Sequence, residues 1–408
     1  MFDRRAFLGG SLAALAMPAL AASEKPFSPD TLFLTWQRDP CTTMTVQWVG
    51  PAADAEQARL FVAPADGPDV WQQRAFTAKP FPLTDWFVYR CELTKLTPGT
   101  EYKFAVGTGA THRFRTMPAK ATNDLTFVSG GDCGVNVHAA NNNMLAAKQE
   151  PYFAIVGGDL GYDNGRSPKV ALDFIRQYAK HMIDPRGRLI PLVVCVGNHE
   201  VNGGYNRARK DAPFFLALFD GFYNDATYGT LDFGNYLSLV LLDTGHVCPI
   251  AGEQTHWLET ALRDRQEVPH LVAVNHVPAY PSYRLAEVAP GKAGTGDGNR
   301  KHWVPLFERY NVDFVLEHHD HTFKRTHPLI GGLKDAKRGI LYLGDGSWGR
   351  IRSPNKAEHR EYIDKVSEAY HLTLHRIEGD VRYHMAMEEG GRIIDICTTR
   401  KKSRSKTS

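Results

Sequence analysis

Several things are scarce in this sequence, and each shortage removes a class of function. None of its six cysteines stands in a CxxC pair, which excludes zinc-finger and thioredoxin-type chemistry. Cys41, Cys91, Cys133, Cys195, Cys248 and Cys397 read as separate small apolar residues, with a Cys41–Cys91 disulfide left open for an oxidising compartment. Charge of one sign is also scarce. A net charge of +3 over 408 residues, with the basic residues spread out except at the very end, gives no electrostatic footprint for nucleic acid. No apolar run reaches the about 20 residues of a membrane span. The glycine-rich stretch at 291–298 lacks the G-x-x-x-x-G-K-[ST] spacing and follows no strand, so it is not a P-loop; a flexible rim is the expectation there. What remains is 43% hydrophobic and 23% charged, an ordinary folded composition. Domains usually run to about 100–200 residues, so two or three are expected.

The two ends read as address and tail. Arg4-Arg5-Ala6-Phe7-Leu8 precedes a short apolar run and the A-x-A signal Ala19-Leu20-Ala21. This resembles a bacterial twin-arginine export signal over residues 1–21, cleaved after Ala21, and implies a periplasmic or secreted mature chain without a membrane span. Residues 398–408 read as a basic, solvated tail.

Between the ends the pattern changes once. Residues 26–117 alternate in period two, as in Thr43-Met44-Thr45-Val46-Gln47-Trp48, and are punctuated by turn residues such as Pro98-Gly99. That predicts an all-β sandwich. With Trp48 and the L-x-P-G-T-x-Y run from Leu96 to Tyr102, it resembles a fibronectin type III-like domain. Residues 118–124 form the linker. From Leu125 onward, short apolar runs alternate with amphipathic stretches at 169–183, 254–265 and 302–310. This predicts an α/β domain over 122–390 whose strands are covered on both faces.

The apolar runs share one ending. LTFVSGGD, FAIVGGD, LVVCVGNH, LVAVNH and VDFVLEHH each close on Asp, Asn or His. Ligands of α/β sheets bind beyond the carboxyl ends of strands. The donors collected there are Asp132, Asp159 with Tyr162, Asn198 with His199, His276, and His319 with His321. Oxygen and nitrogen donors without thiolate suit iron, zinc or manganese. The set offers more donors than one tetrahedral ion takes, so two ions are implied, about 3.5–4 Å apart, with one carboxylate between them.

At this point the resemblance becomes specific. Gly131-Asp132-Cys133-Gly134, Gly158-Asp159-Leu160-Gly161-Tyr162, Gly197-Asn198-His199-Glu200, Asn275-His276 and His318-His319-Asp320-His321 occur in the order and spacing of the purple acid phosphatases. The resemblance implies a four-layer αββα metallophosphoesterase domain behind the β-sandwich. It also implies a trivalent iron on Asp132, Asp159, Tyr162 and His321. A divalent ion (Fe, Zn or Mn) would lie on Asp159, Asn198, His276 and His319, with Asp159 bridging. His199 would be the catalytic group that contacts phosphate or the leaving oxygen. Most binuclear phosphoesterases begin with D-x-H; here position 134 is Gly, and Tyr162 supplies the extra donor. Two further departures stand out. His318 replaces the glycine of GHxH, and Leu285 and Ala286 stand where plant-like members carry a His pair. Tyr283, Arg284 and Lys292 are candidates for substrate contact in their place.

The function implied is hydrolysis of a small phosphate monoester by in-line attack of hydroxide activated at the binuclear centre. A phosphodiesterase using the same site is the first alternative. A non-catalytic envelope protein that binds metal or a partner is the second. Nothing in the sequence marks an oligomer interface.

Overall fold

Along the strand His270–Asn275, Val272 and Val274 join one buried cluster, while Leu271 and Ala273 join another. The neighbouring strand Leu237–Leu242 divides the same way, with Leu239 and Leu241 on one face and Val240 and Leu242 on the other. Successive side chains of a strand point to opposite faces. A strand apolar at every position therefore has something packed on both sides, and here one side is a second sheet and the other is helices. This computed structural model describes residues 27, 29–223, 225–354 and 360–401. The export signal expected over 1–21 lies outside the described residues, as does the tail beyond 401.

The first of the two sheets carries the parallel strands Leu125–Gly130, Ala154–Val156 and Leu192–Val194. It continues through the antiparallel strands His371–Glu378, Val381–Glu388 and Ile393–Arg400. The second contains the parallel run Leu237–Leu242, His270–Asn275, Phe314–Glu317 and Leu341–Asp345, with antiparallel strands at its edges. Aromatic rings lock the sheets together: Phe127 stacks on Phe153 with centroids 4.9 Å apart, and Phe153 on Phe233 at 4.8 Å. Helices Val137–Lys148 and Pro168–His181 lie side by side. Glu253–Asp264 and Val304–Arg309 pack against one another. The expected α/β layering is thus present.

Two boundaries differ from the sequence expectation. The domain does not stop at 390, and the tail does not begin at 398. Ile393–Arg400 is an edge strand paired with Val381–Glu388. The glycine-rich stretch is partly ordered too: Lys292–Ala293 pairs with Glu287–Ala289, and Asp297–His302 is helical.

The N-terminal segment is a sandwich of two four-stranded antiparallel sheets. Trp48 is fully buried and stacks on Tyr89 at 5.1 Å. The turn at Gly99 takes φ +66°, and the Tyr102 hydroxyl accepts the Thr97 N–H at 2.9 Å, closing a tyrosine corner. Cys41 and Cys91 are buried free thiols, so the disulfide left open is not formed.

The sandwich is welded to the larger domain. Trp36 sits edge-on to Phe153 and Phe233. Phe33 and Phe81 meet Phe219 and Phe214 on helix Pro213–Tyr223. Arg90 and Lys79 both pair with Asp220 on that helix. Among the described residues, no helix is long and apolar enough to cross a membrane.

Candidate metal centre

Four of the expected donors have a backbone that L-residues seldom adopt. Asp132, Asp159, His319 and His321 take φ of 58°, 54°, 73° and 59°. Such a conformation costs free energy and persists only where the surroundings enforce it. The surroundings do so by hydrogen bonding the loops to one another. Asp132 N–H bonds to Gly158 O at 3.0 Å, and Cys133 N–H to Asp159 O at 3.0 Å. The Asp132 Oδ2 accepts the His319 N–H at 2.8 Å.

The loops also approach too closely for side chains. A Cβ on Gly158 would lie 2.6 Å from the His276 ring, and one on Gly197 would lie 2.3 Å from Asp159 Oδ1.

The donors converge as two groups. On one side, the Tyr162 hydroxyl lies 3.2 Å from both Asp132 Oδ1 and His321 Nε2, and His321 Nε2 is 3.0 Å from Asp132 Oδ1. On the other, His276 Nε2 lies 3.2 Å from Asn198 Oδ1, 3.1 Å from His319 Nδ1 and 3.4 Å from Asp159 Oδ1. Ligand atoms of Asp132, Asp159, His276 and His319 all fall within 4.8 Å of one another, and all four residues are buried.

Asp159 joins the groups. Its Oδ1 accepts the His199 N–H at 2.8 Å. Its Oδ2 is buried and accepts no hydrogen bond, with His199 Nε2 3.9 Å away. A buried carboxylate oxygen without a donor is costly unless a cation faces it. The donor set therefore fits a pair of bound ions.

The field of Asp159 draws positive charge to this point, charge that a bound ion would supply in place of a proton. Burial disfavours charge on His276, but the Asp159 carboxylate outweighs it and pushes the imidazole pKa up to about 9. Burial, with the charge of His276, holds His319 well below the usual histidine range, leaving a neutral ring with a free lone pair. Burial pushes the Tyr162 hydroxyl well above its usual range, so that a phenolate there needs a strong positive neighbour.

His199 reaches the cluster from the turn Asn198–Glu200. Its ring lies 4.3 Å from that of Tyr162, and burial holds its pKa below the usual value against the pull of Asp159. His318 does not join the donors. Its Nδ1 is 2.9 Å from Asn275 O, and its ring fills the space over Gly131 and Gly157. Asp320 accepts the Ser282 and Tyr283 N–H groups and pairs with Arg284. Arg284 is thus committed to holding its own loop. Lys292 lies exposed in the short hairpin.

Two supporting residues escaped the sequence reading. Glu200 accepts N–H groups of Gly197, Asp159 and Leu160, each at 2.8 Å, and so ties two donor loops together. Tyr205 Oη lies 3.2 Å from His319 Nε2 and turns Nδ1 toward the cluster. An acid at the end of GNHE was a visible hint of the first. Tyr205 carried no local signal.

Carboxylates, imidazoles, an amide and a phenol gathered beyond parallel strand ends define a metallophosphoesterase site. Residues 29–119 match the model described as purple acid phosphatase, N-terminal domain, and residues 120–323 match calcineurin-like phosphoesterase. The chain belongs to the calcineurin-like phosphoesterases, in the branch that carries the purple acid phosphatase N-terminal domain. An uncharacterized protein of Mycobacterium tuberculosis is 26% identical, across 67% of this chain but only 60% of its own length. Acid phosphatase type 7 of Mus musculus is 24% identical, across 92% of this chain and 91% of that protein. Purple acid phosphatase PPD1 from yellow lupin (Lupinus luteus) seeds has the same fold. Its TM-score is 0.73 at 16% identity, over 92% of this chain and 74% of that one.

Proposed function

We propose that the chain hydrolyses phosphate monoesters at this cluster. The observation that carries the reading is the buried, unpartnered Oδ2 of Asp159 between two convergent groups of donors. Asp132, Asp159, Tyr162 and His321 would hold one ion, and Asp159, Asn198, His276 and His319 the other. Tyr162 favours trivalent iron on its side, while Asn198 and the two imidazoles suit divalent iron, zinc or manganese. When bound, the ions would neutralise phosphoryl charge and lower the pKa of an attacking water.

The protein's own groups do the rest. The interlocked loops fix the donors before substrate arrives, so little reorganisation accompanies reaction. His199 stands beside Asp159 with its ring at the edge of the cluster, placed to donate a hydrogen bond to a phosphoryl or leaving oxygen. Asp159 accepts the His199 backbone N–H and thereby sets that ring's position. The Arg4-Arg5 stretch supports an envelope location for the working enzyme.

The test compares an aryl phosphate monoester with the matching bis-aryl diester, using metal-loaded protein with Asn198→Ala as the blank. Monoester turnover that vanishes in the blank supports the reading. Diester preference keeps the site and changes the substrate class. Bound metal without turnover of either ester favours the binding protein instead.

A further inference from the structure

The loop after strand Leu341–Asp345 is pinned to the candidate metal centre. Trp348 N–H bonds to Gly131 O at 3.0 Å, Gly349 N–H to Asp132 O at 3.1 Å, and Arg352 N–H to His321 O at 2.8 Å. Helix Val137–Lys148 and the residue that caps its N-terminus hold it from behind: Asn136 Nδ2 donates to Gly349 O at 2.8 Å, and Asn142 Nδ2 to Trp348 O at 2.7 Å. Trp348 is fully buried, and its indole N–H bonds to Asn143 at 2.9 Å. The backbone carrying residues 346–352 thus has a fixed place against Asp132 and His321.

Two arginines project from this fixed loop. The Arg350 guanidinium carbon lies 4.1 Å from the centroid of the Tyr162 ring, and that of Arg352 lies 5.0 Å from the Tyr283 ring. Arg350 is exposed and Arg352 half-buried. Among the described residues neither meets a carboxylate, whereas nearby Arg284 is paired with Asp320 at 2.8 Å. Stacking on an aromatic face orients a guanidinium while leaving its N–H fork free for a planar anion. Gly134 makes room for this. A Cβ there would lie 3.3 Å from both Arg350 Nε and Tyr162 Cδ2, so the position that lacks the usual histidine is also the position that seats the arginine.

We infer that Arg350, supported by Arg352 two residues further along the same loop, forms an anion subsite on the Tyr162 side of the centre, selecting phosphate monoesters that carry a second anionic group. This rests on the phosphatase reading above and names its substrate class. The chemistry recognised is a carboxylate or second phosphate on the leaving group. An anion facing a guanidinium fork gains charge-assisted hydrogen bonds that a neutral alcohol cannot make.

The experiment compares 3-phosphoglycerate with glycerol 1-phosphate. Both release a primary alkoxide and differ by a carboxylate. Metal-loaded wild type is expected to favour 3-phosphoglycerate by about tenfold or more in kcat/KM, mainly through KM, and to lose that margin as salt rises. The R350Q/R352Q variant is expected to treat the two esters alike, and Arg350→Lys to recover part of the preference. Equal treatment by wild type, or a preference that survives in the double variant, overturns the subsite. If no monoester is turned over at all, the phosphatase reading fails. Calorimetric binding of the same two probes to wild type and R350Q/R352Q then decides the subsite on its own.

Discussion

The Tyr162 hydroxyl stands 3.2 Å from His321 Nε2 and 3.2 Å from Asp132 Oδ1. A phenol, an imidazole and a carboxylate thus meet at one point. Burial opposes ionising that phenol, so a phenolate at this point requires the compensating charge of a cation.

Tyr162→Phe removes that oxygen with little change in shape. Metal-loaded wild type is expected to show a visible phenolate-to-iron charge-transfer band, and the variant to lose it. Turnover of an aryl phosphate is expected to fall about tenfold or more. A visible spectrum and a metal assay check this; an unchanged band would remove Tyr162 from the ligand set.

Asn198→Ala and His276→Ala each remove a donor from the other group. Each variant is expected to retain about one ion where wild type retains two, and to lose about a hundredfold or more in activity. Metal analysis after desalting reads the first effect and steady-state kinetics the second. Full metal content in both variants would be evidence against a second ion.

Stability of chelator-treated protein is expected to fall as pH rises above about 7.5. The His276 pKa is raised from 6.5 to about 9 because Asp159 outweighs burial. A group raised on folding contributes fully below its unfolded value, and that contribution disappears as pH climbs through the folded value. Burial also pushes Glu200 up to about 8, which adds a loss in the same direction. Thermal melts between about pH 7.5 and 9 check the slope, above the range in which unfolding would protonate the buried neutral rings of His246, His270 and His319 and give the opposite sign. His276→Gln should flatten it, and a slope unaltered by that change would assign it elsewhere.

Trp36→Ala tests the weld between the domains. The indole is fully buried against Phe153 and Phe233. Loss of such a side chain costs about 3–5 kcal/mol. One cooperative melt at a lower temperature is expected, because both domains share the contact. Two separated transitions would mean that the sandwich folds independently of its neighbour.

The donors were legible because each ends a short apolar strand, and burial of both strand faces leaves a continuous apolar run for the polar residue to interrupt. Position 134 was legible as a missing histidine. That the missing side chain also seats Arg350 was not, since Gly134 and Arg350 meet only after strand Leu341–Asp345 delivers its loop to Asp132. Arg284 read as a substrate contact because its partner Asp320 lies far off in sequence. Ile393–Arg400 was missed as a strand because only one of its eight residues is buried, which leaves little hydrophobic alternation to read. Helix Pro213–Tyr223 was missed for the opposite reason. It is apolar nearly all round, so no amphipathic period marks it.

That helix is a wall with two tenants. Phe214 and Phe219 receive the sandwich, and the same helix flanks the space beside His199 and Glu200. A gene rearrangement that exchanged the sandwich for an unrelated module would strip the wall of its outer support and disturb the turn that carries His199. The helix therefore couples the seating of the sandwich to the surroundings of His199. Drift at Phe33, Trp36 or Phe81 would be answerable to the chemistry, although none of these residues touches it.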